Sequence, residues 1–238
     1  MIERKIISLN NVPLLLCCGG RASSSSVKGT VFLFHGLGVS KEVNEKELMS
    51  LAEAGFLAVG VDNVGHGQRR FADFESRFAA GNCEFEANLI DAVRETAHEI
   101  PALIDGLASE YGINLDHIGV TGISMGGFIS YEAVLADRRI KAAVPLIGSP
   151  AWSAAAEKGP DKSPEKFYPV AILSQTGGKD TVVPPAAARI FHEELAKYYV
   201  KSPERQSYIE FPDSEHFMRP DDWEKLWGNT IEWFARFL

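Results

Sequence analysis

The stretch Gly122-Ile123-Ser124-Met125-Gly126-Gly127 constrains this chain more than any other, because of what flanks it. Upstream, Asp116 to Thr121 reads as a short buried strand. Downstream, Phe128 to Ala136 reads as a helix with apolar residues at helical spacing. A serine between glycines on a strand-to-helix turn has the form of a nucleophile elbow. Such a turn lifts the Ser124 hydroxyl above the sheet, at the positive end of the helix that follows. Glycines two residues to either side let neighbouring backbones approach without a Cβ in the way. Taken alone, the same residues also fit a helix N-cap serine after a glycine turn.

The rest of the chain alternates strands and helices. Strands are expected at Thr30–Phe34, Phe56–Val61, Ile118–Thr121, Ala142–Ile147, Val170–Gln175 and Gln206–Phe211, with helices at Glu45–Ala54, Glu84–Tyr111, Ala186–Tyr199 and Trp223–Phe237. Val31-Phe32-Leu33-Phe34 and Ala142 to Ile147 are apolar on consecutive residues, the mark of strands covered on both faces. Alternating strands and helices give an α/β fold with right-handed crossovers, and ligands then belong at the carboxyl ends of the strands. Ser23 to Ser26, within Gly19 to Gly29, is the one low-complexity patch and reads as a flexible surface turn.

A length of 238 residues suits one large domain, with 45% hydrophobic and 24% charged residues as in ordinary globular proteins. A formal net charge of -8 argues against nucleic acid or an anionic membrane as a partner. Three cysteines without framework spacing suggest reduced thiols, and hence a cytoplasmic protein. Arg4-Lys5 and Leu14-Leu15-Leu16-Cys17 resemble an export signal in outline only. Asn10, Asn11 and Pro13 interrupt the apolar run, and Leu16 is too bulky for a cleavage site. The segment reads instead as a hairpin of Glu3–Leu9 and Pro13–Cys18. No run approaches the length of a membrane span.

Two further loops carry chemistry. Gly177-Gly178-Lys179-Asp180 follows one strand, and Asp180 projects from it either as a capping residue or as the carboxylate that orients a catalytic imidazole. His216 follows the last strand. The order Ser124, Asp180, His216 is the one expected of an elbow-type hydrolase. Asp213, three residues before His216, is the alternative acid. An oxyanion hole would take one N–H from Met125 and a second from Leu37 in His35-Gly36-Leu37-Gly38, with His35 bracing that loop.

With these residues in hand, the chain resembles the α/β-hydrolases, in particular their dienelactone-hydrolase-like and prolyl-oligopeptidase-like small serine esterases. The resemblance spans essentially the whole chain and includes Asp62 with Gly65-His66-Gly67, and Val183-Pro184. It implies a mostly parallel central sheet of about eight strands between helix layers. It also implies a single domain over residues 1–238 with a short cap-like insertion around 149–169. The dienelactone hydrolases proper carry cysteine at the elbow, where this chain has Ser124.

The reaction expected is hydrolysis of a small-molecule carboxylic ester by a Ser124–His216–Asp180 triad, with Leu37 and Met125 as oxyanion donors and no metal or cofactor. Thioesterase, deacetylase and short-peptide hydrolase chemistry are the alternatives within enzymes. A hydrolase-fold binding protein is the alternative outside them. Arg70, Phe74 and Trp152 are candidate substrate contacts, drawn from the segment 68–85 and the insertion. The Phe71, Phe74, Phe78 and Phe85 spacing fits a core stripe equally well. Trp223, Trp227, Trp233 and Phe234 on the last helix could pack internally or form a dimer face, so the chain is expected as a monomer or homodimer.

Overall fold

The computed structural model describes residues 2–20 and 27–238, so the serine patch at 23–26 lies outside the described residues. Eight strands form one sheet: β1 (Ile2–Leu9), β2 (Val12–Gly19), β3 (Thr30–Phe34), β4 (Leu57–Val61), β5 (Ile118–Ile123), β6 (Ile140–Leu146), β7 (Ala171–Gly177) and β8 (Gln206–Phe211). Their spatial order is β1-β2-β4-β3-β5-β6-β7-β8. The β1–β2 and β2–β4 pairs are antiparallel, and every other pair is parallel. Asn10 and Asn11, at φ 51° and 64°, close the β1–β2 hairpin. Asparagine is one of the few side chains that tolerates two successive left-handed residues.

Among the described residues, six α-helices accompany the sheet: α1 (Glu45–Glu53), α2 (Phe74–Arg77), α3 (Phe85–Tyr111), α4 (Met125–Ala136), α5 (Ala186–Leu195) and α6 (Pro220–Phe237). Strand alternation deals the apolar side chains onto two faces. Phe32 and Phe34 join the core under α3 and α4, with Ile100, Ile104 and Ile129. Val31 and Leu33 join the core under α1 and α6, with Leu48, Leu51 and Phe234. The consecutively apolar strands are therefore doubly covered, as the pattern requires. Trp227, Trp233 and Phe234 are buried in the second core, so the aromatic stripe of α6 packs internally.

The boundaries differ from the sequence reading where backbone chemistry intervenes. Helix α4 starts at Met125 rather than Phe128, because Gly126 and Gly127 fill its first turn. Helix α5 starts at Ala186, the start read from the sequence, after Pro185, since a proline disfavours helical backbone in the residue before it. Its end at Leu195, short of Tyr199, gives way to tight turns from Lys197 to Glu194 and from Tyr198 to Leu195.

His35, His66 and His192 are buried in this framework. His35 accepts an N–H from Asn63 at 3.1 Å through Nε2. His192 lies beside Ser174 at 2.7 Å. Burial pushes His35 down to about 4 and His192 down to about 3. An unfolded imidazole takes up its proton near pH ~6.5, whereas these two resist until far lower, so the unfolded chain binds more protons in between. Stability is fully present above the unfolded value and falls as the pH drops toward the folded values. Each group contributes up to about 1.4 kcal/mol per pH unit, so the unfolding free energy should fall by roughly 3 kcal/mol from about pH 7 to about pH 5. Urea titrations at the two pH values test this. Equal stability at both would mean that neither imidazole is held neutral.

Candidate active site

Ser124 sits at the junction of β5 and α4 with φ 56° and ψ -115°. A non-glycine residue in that region is strained and persists only where its surroundings over-determine it. Here they do. The Ser124 N–H donates to the Leu146 carbonyl at 2.9 Å, and its own carbonyl accepts from Gly127 at 2.7 Å. A Cβ on Gly126 would stand 2.0 Å from the Phe34 carbonyl oxygen, and one on Gly122 would stand 2.3 Å from the Gly126 carbonyl oxygen. The glycines thus serve close backbone approach. Gly126→Ala should cost about 3 kcal/mol of stability or more, since nothing flexible can yield. Urea unfolding reads this directly, and a loss under about 1 kcal/mol would show that β3 can shift.

The Ser124 hydroxyl lies 2.9 Å from His216 Nε2, and His216 Nδ1 lies 2.8 Å from Asp180 Oδ2. Asp180 has no exposed side chain, and His216 is largely covered. The other Asp180 oxygen, Oδ1, accepts the N–H groups of Val182 and Val183, each at 2.8 Å. Both readings of Asp180 therefore hold at once: one oxygen caps its loop and the other faces the imidazole. Asp213 points elsewhere, pairing on the surface with Lys179 at 2.8 Å.

The loop carrying Leu37 is held from below. His35 Nδ1 lies 2.7 Å from the Gly36 carbonyl, and Asn63 Nδ2 donates to the His35 carbonyl at 2.9 Å. Asp62 accepts from the backbone N–H and Nζ of Lys41, both at 2.9 Å, and from the Gln68 N–H at 2.9 Å. Both side chains of the Lys41–Asp62 pair are fully buried, so the pair ties the end of β4 to the segment after Leu37. Among the described residues, the N–H groups of Leu37 and Met125 have no intramolecular acceptor.

A cleft of about 580 Å³ opens beside Ser124. Leu37, Met125, Phe85, Leu89, Phe128 and Val182 give it apolar walls, and Glu86 and Ser153 add polar ones. The sequence-based choice of Arg70, Phe74 and Trp152 as substrate contacts is corrected here, because none of them lines this cleft. Arg70 pairs with Glu75 at 2.7 Å and lies over the Phe74 ring at 3.5 Å. Phe74 is buried edge-on against His66, whose centroid is 5.0 Å away. Trp152 is buried in the core. Cation–π stacking and aromatic packing consume the side chains that looked free in the sequence. Of Phe71, Phe74, Phe78 and Phe85, Phe85 alone reaches the cleft, by standing at the start of α3. No sequence signal marked Glu86, Phe128 or Val182. They meet only because the starts of α3 and α4 and the Asp180 loop converge at the same end of the sheet.

This sheet order, the elbow after β5 and the loops at the carboxyl ends of the strands define the α/β-hydrolase superfamily, with a serine-hydrolase type of fold. The family model described as serine aminopeptidase, S33, matches residues 25–168, and the chain belongs to that family. It is 28% identical over 267 aligned positions, covering all of both chains, to the Bacillus subtilis (strain 168) protein named "Putative esterase YitV". TT1662 from Thermus thermophilus superposes with a TM-score of 0.81 at 18% identity over 98% of each chain. A Klebsiella pneumoniae protein described as a "Putative Dienelactone Hydrolase" superposes with a TM-score of 0.75 at 18% identity over 100% of each chain. At those identities the structural likenesses speak for the fold. Among the described residues, no helix is long and apolar enough to cross a membrane.

Proposed function

We propose that the protein is a single-domain serine hydrolase that cleaves carboxylic esters of small to medium acyl or alcohol groups through an acyl-enzyme. The observation that carries this reading is the unbroken chain from Ser124 Oγ to His216 to Asp180, at 2.9 and 2.8 Å, beside an apolar cleft. In this reading Ser124 attacks the acyl carbonyl while His216 takes its proton, and Asp180 holds the ring in the tautomer that leaves Nε2 free to accept. The N–H groups of Leu37 and Met125 donate to the oxyanion as it forms. His216 then protonates the departing alcohol, and water repeats the sequence on the acyl-enzyme. The chemistry calls for no metal or cofactor. The free thiols Cys17, Cys18 and Cys83 support a reducing, cytoplasmic setting.

The test is turnover of p-nitrophenyl acetate, butyrate, octanoate and laurate, together with labelling of Ser124 by an active-site phosphonate. Turnover of the short esters with labelling is expected. A protein inert to all four esters and to the phosphonate would be a binding protein, not an enzyme. The family description favours one second reading, hydrolysis of short peptides. Faster turnover of aminoacyl p-nitroanilides than of any ester would favour it over ester cleavage.

A further inference from the structure

The cleft beside Ser124 is mostly apolar and carries one charge among the described residues. Glu86 is the single charged side chain among the described residues lining it, and no cationic side chain pairs with it among the described ion pairs. Its Oε1 accepts from the Ser153 N–H at 2.8 Å and from the Ser153 hydroxyl at 2.5 Å. Burial opposes ionisation of this carboxyl. The hydrogen bonds from Ser153 and from the Ala154 backbone outweigh it and hold the group below its ordinary range. An anion is therefore fixed on a mostly apolar wall. In a partly desolvated site its field is felt far more strongly than in water.

In the proposed mechanism the His216 imidazole protonates the leaving alcohol, while Leu37 and Met125, the donors to the acyl oxygen, line the cleft together with Ser124. The leaving group must stay within reach of that imidazole, so the cleft receives the acyl part of the substrate. We propose that Glu86 is a specificity-determining residue for the acyl group, favouring chains that carry a cationic amine and rejecting chains that carry a carboxylate. This rests on the ester-hydrolase reading above. It also sets this chain apart from hydrolases whose substrates are anionic acids: a second negative charge beside Glu86 would have no cation to meet it.

Three isosteric substrates test the proposal: p-nitrophenyl hexanoate, its ω-amino derivative and the p-nitrophenyl half-ester of adipic acid. Wild type should show kcat/KM for the amine ester about ten-fold or more above that for the carboxylate ester, a gap that narrows as salt is added. Glu86→Gln keeps an oxygen that can accept from Ser153 and removes only the charge. It should bring the two charged esters within about two-fold of each other, each rate taken relative to that of hexanoate on the same variant. Ser153→Ala removes the hydroxyl donor of the clasp and keeps its backbone N–H and the carboxylate, so the preference should survive it. A preference lost in Ser153→Ala would make Glu86 a structural clasp and overturn the proposal. So would an unchanged preference in Glu86→Gln with hexanoate still cleaved, and in that case ester hydrolysis itself stands. A wild type unable to cleave the uncharged hexanoate would overturn the ester reading and this inference together.

Discussion

Ser124→Ala is expected to lower the turnover of short p-nitrophenyl esters by roughly four to six orders of magnitude, as loss of a serine nucleophile does elsewhere. The backbone at this position already tolerates a Cβ at φ 56°, so alanine adds no strain that serine lacked. The N–H donations that hold the turn, from Ser124 to Leu146 and from Gly127 to Ser124, are made by the backbone and survive the change. Thermal unfolding should therefore match wild type while activity collapses. The residue of activity would come from the Leu37 and Met125 N–H groups and from binding alone. Turnover within about ten-fold of wild type would remove Ser124 from the chemistry altogether.

A loss on the order of ten-thousand-fold in kcat is expected for Asp180→Asn, with little change in stability. The reason lies in which oxygen does what. Val182 and Val183 both present N–H donors to Oδ1, so an asparagine must turn its carbonyl oxygen toward them and its NH2 toward His216. The NH2 group then donates to Nδ1, which forces the imidazole proton onto Nε2, where it faces Ser124. In that tautomer the ring cannot accept the serine proton. Asp180→Ala should lose the activity and the loop together, because it also strips two N–H groups of their acceptor. Comparing kcat and the thermal midpoint for the two variants separates the tautomer effect from the cap. An asparagine variant of near-normal kcat would show that Asp180 serves the loop alone.

The parts of this fold that are legible in the sequence are those with local causes. Consecutive apolar residues at Thr30–Phe34 can only be a strand buried on both faces, and Gln206–Phe211 is likewise found with the bounds read from the sequence. The elbow is legible because strand, glycine spacing and helix are contiguous. Asp180 and His216 are legible as candidates because each stands just past a strand, and the doubly wound order brings all such ends to one side of the sheet. Arg70, Phe74 and Trp152 were misread for the opposite reason. Whether an arginine or an aromatic ring faces a substrate or a neighbour depends on residues far away in the chain, and the alignment of α2 on His66 has no local signature.

The sequence by itself therefore determined the architecture and the residues available for chemistry, since period, glycine placement and chain order are local and carry their own physics. Only the tertiary structure decided what the cleft is made of. The loop carrying Leu37, the first turns of α3 and α4, the segment at 149–153 and the Asp180 loop converge from five separate stretches of chain. Glu86 stands at an apolar cleft with its carboxylate fixed because the fold brings Ser153, 67 residues away, within 2.5 Å of it. Side-chain environment is a property of packing, and packing joins residues that sequence spacing leaves unrelated.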